Sequence, residues 1–83
     1  MVITGRHVSG ARGLLGLSIK ELAEAADVDP KTIQRFESGQ RDPRLSTVAA
    51  LQTALEDRGI EFMNGGEPGV RLRPSKAKKP GAY

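Results

Sequence analysis

The chain has 83 residues, with 13 Lys and Arg against 10 Asp and Glu, one His and no Cys. This length favours one domain with a small core, for which dimerisation is a common source of stability. The lack of cysteine excludes disulfides and Cys-based zinc sites, and a single histidine excludes a His-rich metal site. We expect no catalytic residue, metal or cofactor. No apolar run approaches the roughly 20 residues of a membrane span, so we also expect a cytoplasmic protein without membrane contact.

The net charge of +3 is unevenly distributed along the chain. Lysines after residue 73 supply the whole excess, because the preceding residues carry equal numbers of basic and acidic side chains. Within this neutral part, the residues from 31 to 44 contain four cations and two acids. A neutral domain with one basic stretch indicates a localised surface for nucleic acid.

The first predicted helix begins after Thr4 and runs to about Leu15, where Gly16 suits a C-terminal stop. Its three interior glycines each cost up to about 1 kcal/mol relative to alanine. This helix therefore needs tertiary packing to form. We expect His7 to be an exposed residue without chemistry.

The second predicted helix has the clearest start in the chain. Ser18-Ile19-Lys20-Glu21 is typical of a capping box, in which the Ser hydroxyl and the Glu carboxylate each accept a hydrogen bond from a free backbone N–H. The apolar residues Ile19, Leu22, Ala23 and Ala26 then follow at helical spacing.

Asp27-Val28-Asp29-Pro30 predicts a tight turn into a third helix, capped by Asp29, with Pro30 at its first position. Ile33 and Phe36 face inward along it, and Gly39 ends it. A fourth helix is predicted over about residues 45–57. Its start is ambiguous, because Arg44 is a poor cap and Ser46 is a better one.

Two short helices joined by a tight turn, the second with an exposed polar face, indicate a helix-turn-helix over residues 18–37. Residues 18–39, SIKELAEAADVDPKTIQRFESG, resemble the core of Cro/C1-type (XRE) repressor domains, and the likeness extends over about residues 4–57. The resemblance implies a mainly α fold: a lambda-repressor-like helix-turn-helix bundle of four to five helices, to which the chain adds a short C-terminal β-hairpin. The segments GIEF and GVRLR also resemble small single-domain regulators of alphaproteobacteria and their mobile elements.

The resemblance implies roles for individual residues. The predicted base contacts from recognition helix 30–37 are Lys31, Thr32, Arg35 and Gln34, and Lys and Arg suit guanine O6 and N7. The predicted phosphate contacts are Arg41 and Arg44 in the following loop, together with Ser18 and Lys20 at a helix N-terminus that favours anions. Arg12 and Glu37 are expected to form a structural ion pair between the first helix and the recognition helix.

The sequence departs from the family pattern at three positions. Ile19 stands where the family often has a phosphate-binding Gln. Pro30 stands where it often has a polar DNA contact. Asp27 replaces the usual turn glycine, and Asp tolerates a positive φ at some cost. The first two departures remove expected DNA contacts, and none of the three breaks the fold.

In the C-terminal part, the spacing of the apolar residues changes from helical to alternating. Residues 60–62 and 70–73 alternate apolar and polar side chains around a turn-rich stretch, which predicts a hairpin over residues 60–73. Its apolar face, Ile60, Phe62, Val70 and Leu72, needs a covering partner. We expect this face to be the interface of a homodimer, and the alternative is that it packs on the chain's own helices. Residues 74–83 are typical of a disordered basic tail.

These expectations combine into one functional hypothesis. Residues 1–59 form a helix-turn-helix domain that binds double-stranded DNA at an inverted-repeat operator as a homodimer, near the nucleoid, and controls transcription by contacting or excluding RNA polymerase. Two alternatives remain open: a protein-binding antiactivator or antitoxin that keeps the fold, and an excisionase-like protein that bends DNA. An enzyme is the least favoured function, because no activated nucleophile or metal cluster is apparent.

Overall fold

The computed structural model describes residues 3–39, 44–63 and 68–78. Four helices come first in the chain: α1 (Gly5–Leu15), α2 (Ile19–Ala26), α3 (Pro30–Glu37) and α4 (Leu45–Glu56). The strands β1 (Ile60–Met63) and β2 (Gly69–Leu72) then form an antiparallel hairpin, followed by a 3₁₀ turn at Pro74–Lys76. The predicted mainly α architecture with a C-terminal hairpin is confirmed.

The ends of the first three helices follow from their capping residues. Thr4, Ser18 and Asp29 each accept a hydrogen bond from a backbone N–H of the first turn. Two helices end with a left-handed residue, Gly16 at φ 69° and Asp27 at φ 56°. Asp27 therefore adopts the positive φ that the turn requires without a glycine. The helix α4 begins at Leu45 with no side-chain cap.

One apolar core joins the four helices to the hairpin. The interior of each helix contributes at least one side chain with no more than 8% exposure, and β1 contributes Ile60 at 3%. The largest fully buried side chains are Ile3, Leu15, Leu22, Ile33, Leu51, Leu55 and Val8. Partly buried side chains of the turn and the hairpin complete this core, among them Val28, Phe62, Val70 and Leu72.

Two glycines permit backbone segments to approach closely. A Cβ at Gly5 would lie 2.0 Å from the carbonyl oxygen of Phe36, so the first turn of α1 lies against the last turn of α3. Gly59 has φ 97°, and a Cβ there would lie 2.5 Å from the Arg73 carbonyl oxygen. The close approach at Gly5 is consistent with the prediction that α1 depends on tertiary packing.

The hairpin packs on the helices of its own chain. In its register Ile60 faces Leu72, Glu61 faces Arg71 and Phe62 faces Val70. Its apolar face lies on the core, with β2 against α1 and β1 beside α4. Of the two partners that the sequence leaves open for this face, the chain's own helices cover most of it.

Two expectations about individual segments are corrected. His7 is buried, with 4% exposure, because its ring lies between the first turn of α1 and the end of β1. Residues 74–78, expected to be disordered, are held to the domain, because the Lys76 ammonium lies 3.2 Å from Glu61 and the Lys78 N–H donates to the Asp57 carbonyl. The rest of the predicted tail lies outside the described residues.

Candidate nucleic-acid interface

The recognition helix α3 presents two different faces. Ile33 has no exposed surface and Phe36 has 8%, and both are part of the core. On the opposite side Lys31, Gln34 and Arg35 are exposed, and Thr32 is half-buried. The apolar side fixes the orientation of the helix and leaves a row of hydrogen-bonding groups directed to solvent.

The polar side chains on this outer face have no partner among the described residues. The side chains of these residues, Lys31, Thr32, Gln34 and Arg35, form no ion pair or hydrogen bond with any described group. Only the backbones of Lys31 and Arg35 bond to a neighbouring side chain, that of Asp29 or Ser38. Thr32, in particular, does not use its hydroxyl to bond to the helix backbone. These four predicted base-contact residues therefore lie on one short helix with their polar groups available to a ligand.

The N-terminus of α3 is fixed by residues nearby in the sequence. The Asp29 carboxylate accepts a hydrogen bond from the Lys31 N–H at 2.8 Å, and the Asp29 carbonyl accepts one from the Thr32 N–H at 3.0 Å. Pro30 occupies the first helical position, where a missing N–H costs nothing. The Asp29 carboxylate therefore occupies the N-terminus of the recognition helix, which makes this end unfavourable for a phosphate group.

The N-terminus of α2 forms the predicted capping box. The Ser18 hydroxyl accepts from the Glu21 N–H at 3.0 Å, and the Glu21 carboxylate accepts from the Ser18 N–H at 2.9 Å. These bonds to Ser18, first of all the one from its backbone, hold the pKa of Glu21 below its usual value. Ser18 and Lys20 are both exposed, so this helix end is open to a phosphate group.

A bidentate ion pair connects α1 to α3. The Arg12 guanidinium donates to both oxygens of Glu37, at 2.6 and 2.7 Å, and its third nitrogen donates to the Leu17 carbonyl at 2.9 Å. Both side chains are largely buried, with 20% and 11% exposure. The hydrogen bond to Glu37 raises the pKa of Arg12. The expected pair is thus present, and it holds the last turn of the recognition helix.

The remaining predicted contacts divide into two groups. Arg44 is exposed and immediately precedes α4, beyond the end of the recognition helix. Arg41 lies outside the described residues. In the hairpin, Phe62, Val70 and Leu72 are half-buried, so part of each side chain is accessible to a second copy. Ile60 has only 3% exposure within one chain, which makes it a core residue in this structure.

Two positions that hold the interface in place are not apparent from the sequence. Gly5, expected only to weaken α1, is the residue on which α3 rests. His7 completes a capping box with Thr4 and reaches the carbonyl of Met63. The spacing Thr4-x-x-His7 carries this signal, but the third helical position of such a box usually holds Glu or Gln.

The comparisons with known proteins agree with this arrangement. The sequence model of the family HTH_3, described as helix-turn-helix, matches residues 10–60, which is more than half of the chain. A search of curated protein sequences found no match. Among the described residues no helix is long and apolar enough to cross a membrane. On the strength of the family match and the α2–α3 geometry, the chain belongs to the Cro/C1-type helix-turn-helix family of DNA-binding proteins.

Proposed function

We propose that this protein is a sequence-specific transcription regulator that binds an inverted-repeat operator as a homodimer, with α3 in the major groove. The observation that carries the proposal is the outer face of α3. Its cationic and amide groups have no described partner, while its apolar face and the Arg12–Glu37 pair hold the helix in a fixed orientation. Such a surface is ready to bind without rearrangement.

The base contacts are assigned to the outward residues of α3. Lys31 and Arg35 are four positions apart, so their backbones are separated by about 6 Å along the helix. Both side chains only donate hydrogen bonds, which suits guanine O6 and N7, whereas the Gln34 amide suits adenine and the Thr32 methyl suits thymine. We expect half-sites that contain guanines near the centre of the α3 contact.

Phosphate contacts are assigned on both sides of the recognition helix in the sequence. Ser18 and Lys20 provide a hydroxyl, a cation and the free amides of the α2 N-terminus on one side. Arg44, just before α4, and Arg41, which follows the recognition helix in the sequence, are assigned as the other guanidinium contacts. Contacts of this kind hold the protein in register on the duplex, and each contributes to the salt dependence of binding.

A two-fold homodimer would place two copies of α3 in successive major grooves, about 34 Å apart. The exposed parts of Phe62, Val70 and Leu72 are the proposed contact between the copies, and Ile60 stays in the core of each chain. Bound at a promoter in the cytoplasm, within the nucleoid, the dimer would exclude or contact RNA polymerase.

Light scattering over a range of micromolar concentrations tests the dimer. We expect a mass that approaches twice that of the chain and that falls for Phe62→Ala, with the helical circular dichroism signal retained. A mass of one chain for the wild type, under conditions where it binds DNA, would overturn the dimer and leave DNA binding intact.

The test of the function starts from selection of genomic fragments that the protein retains, followed by footprinting. Fluorescence anisotropy on the selected duplex then compares Arg35→Ala with Arg71→Ala, which also removes one exposed arginine but from the hairpin. We expect Arg35→Ala to lose about 1–3 kcal/mol of binding and to relax base preference. Arg71→Ala should change little.

Two outcomes would contradict the proposal. Equal losses in both variants would indicate generic attraction between charges, with no reading of the sequence. Failure to retain any duplex at low salt would favour the protein-binding alternative.

For a bound duplex, Arg44→Ala should lower the slope of log affinity against log salt by about 1, uniformly across sequences.

A further inference from the structure

The one histidine of the chain occupies the third position of α1 and forms a capping box with Thr4, the N-cap. Its Nδ1 accepts a hydrogen bond from the Thr4 N–H at 2.9 Å and lies at the same distance from the Thr4 hydroxyl. In return, the His7 N–H donates to the Thr4 hydroxyl at 3.3 Å. His7 thus serves as the acceptor that Glu or Gln provides in most capping boxes.

The same imidazole reaches the hairpin from its other side. Its Nε2 lies 3.4 Å from the carbonyl oxygen of Met63, the last residue of β1. Its ring packs edge-on against Phe62, with centroids 5.9 Å apart and an interplanar angle of 76°. One side chain with 4% exposure therefore connects the beginning of α1 to the end of β1.

This geometry requires a neutral imidazole with its hydrogen on Nε2. An Nδ1 that accepts the Thr4 N–H must carry a lone pair, and the Met63 carbonyl then takes the hydrogen on Nε2. A proton added to Nδ1 would face the Thr4 N–H, donor against donor, in the first turn of a helix whose dipole already disfavours positive charge. Protonation therefore breaks the hydrogen bond from the Thr4 N–H and leaves a buried cation, for which the Thr4 hydroxyl is the nearest acceptor on that side.

The surroundings offer this cation little compensation. His7 lines an open cavity of about 680 Å³, through which protons have access from solvent. Among the described residues, the charged groups on that cavity are Arg6 from α1 and Glu37 from α3, and Glu37 already accepts two hydrogen bonds from Arg12. The described part of the hairpin contributes Met63, Pro68, Gly69 and Val70 around this region, none of which titrates.

We propose that His7 is a proton-sensitive clasp between α1 and the hairpin, closed when the imidazole is neutral and opened by its protonation. Opening frees the first turn of α1, which also supports the last turn of α3 through Gly5. Mild acidity thus loosens the support of the recognition helix. Histidine is the side chain that ordinarily changes its charge between about pH 5 and pH 8.

The decisive variant is His7→Gln, because glutamine is a normal capping-box acceptor and does not titrate. We would measure urea unfolding of the wild type and of this variant, without DNA, at about pH 7.5 and about pH 5.5. On acidification the unfolding equilibrium constant of the wild type should rise about fivefold more than that of the variant, which is the effect of one lost capping bond. Parallel responses in both proteins would overturn the proposal.

A titration of the wild type by nuclear magnetic resonance covers the case in which the variant does not fold. Because His7 is the only histidine, its ring nitrogens are identified without further assignment. In the closed state we expect the hydrogen on Nε2 and a lone pair on Nδ1. The Thr4 amide and the Phe62 ring signals should then change in step with His7. Protonation of His7 that leaves both signals unchanged would overturn the clasp, and neither result depends on whether the protein binds DNA.

Discussion

In the α2–α3 pair the N-terminus of each helix is capped by a residue that is close in the chain, whereas α1 and the hairpin are also held in place by contacts between residues that are far apart. Ser18 caps α2 with Glu21, and Asp29 caps α3 through Lys31. By contrast, Gly5 contacts the backbone of Phe36 and His7 contacts the carbonyl of Met63.

This difference separates two tasks within one small domain. The α2–α3 pair can form a surface whose outer side chains are free for DNA, because the caps of its helices do not use those side chains. In the α1–hairpin unit, meaning α1 together with β1 and β2, polar and small residues contact other parts of the chain. This unit acts as the support that fixes the orientation of α3.

The largest effect is expected where the support meets the recognition helix. Gly5→Ala places a methyl group 2.0 Å from the Phe36 carbonyl oxygen and 2.9 Å from the Glu37 Cα. Because both contacts are backbone atoms, no side chain can rotate away, and we expect a loss of roughly 3 kcal/mol or more. Urea unfolding monitored by circular dichroism measures it. If the Gly5→Ala variant unfolds at the same urea concentration as the wild type, α1 does not rest on α3.

The Arg12–Glu37 pair is the second connection between the two regions. Arg12→Met keeps much of the aliphatic stem but leaves the largely buried Glu37 carboxylate without its two hydrogen bonds. We expect a loss of about 2 kcal/mol, less than for a fully buried pair because both groups retain some exposure. The double variant Arg12→Met with Glu37→Gln should recover part of this loss, since no charge is then stranded. Absence of recovery in a double-mutant cycle would argue against a direct coupling.

A smaller effect of opposite sign is expected on the exposed side of α1. A Cβ at Gly13 would meet nothing within 4 Å. Gly13→Ala should therefore stabilise the protein by about 0.5–1 kcal/mol through helix propensity alone. Gly5→Ala and Gly13→Ala make the same chemical change in one helix, so their opposite signs separate packing from propensity. A destabilised Gly13→Ala variant would mean that this face of α1 is in contact with something, such as a second copy.

The same contrast explains how far the sequence could predict the structure. The α2–α3 unit was predictable to its capping residues, because each signal lies within a few residues of its effect. The positive φ at Asp27 was reached through the family pattern, in which a glycine usually occupies this turn. The Arg12–Glu37 pair was reached through the resemblance to the family. His7 and Gly5 were misjudged because their partners are distant in sequence, and no local pattern reveals that a strand end or a second helix will lie there.

The order of residues 74–78 could not be predicted from the sequence, for a related reason. The composition of residues 74–78 is typical of a tail, but the local charges have a partner on the outer face of β1. Glu61 lies within 3.2 Å of Arg71, Arg73 and Lys76. Three cations around one carboxylate favour an ordered segment, and composition alone does not show that they converge.

The smallest effect is expected from two carboxylates, one in each region, whose contributions to stability can be compared by acid unfolding. Hydrogen bonds from Arg71 and then Lys76 lower the pKa of Glu61, and the bonds to Ser18 lower that of Glu21. A lowered pKa in the folded state means that each carboxylate stabilises the fold above the ordinary value near 4.5 and that this contribution is lost as the pH falls below it. Acid unfolding curves of Glu21→Gln and Glu61→Gln should therefore both be flatter than that of the wild type.

The two variants should differ at neutral pH, where the comparison between the regions is sharpest. Glutamine at position 21 still accepts the Ser18 N–H, so the local capping box survives and neutral stability falls only by the small loss of attraction to the helix dipole. Glutamine at position 61 leaves Arg71, Arg73 and Lys76 facing one another without a counter-charge, so the hairpin should lose protection from amide hydrogen exchange. If Glu61→Gln leaves that protection unchanged, the apolar contact of the hairpin with α1 holds it alone, and the charges on its outer face serve solubility rather than order.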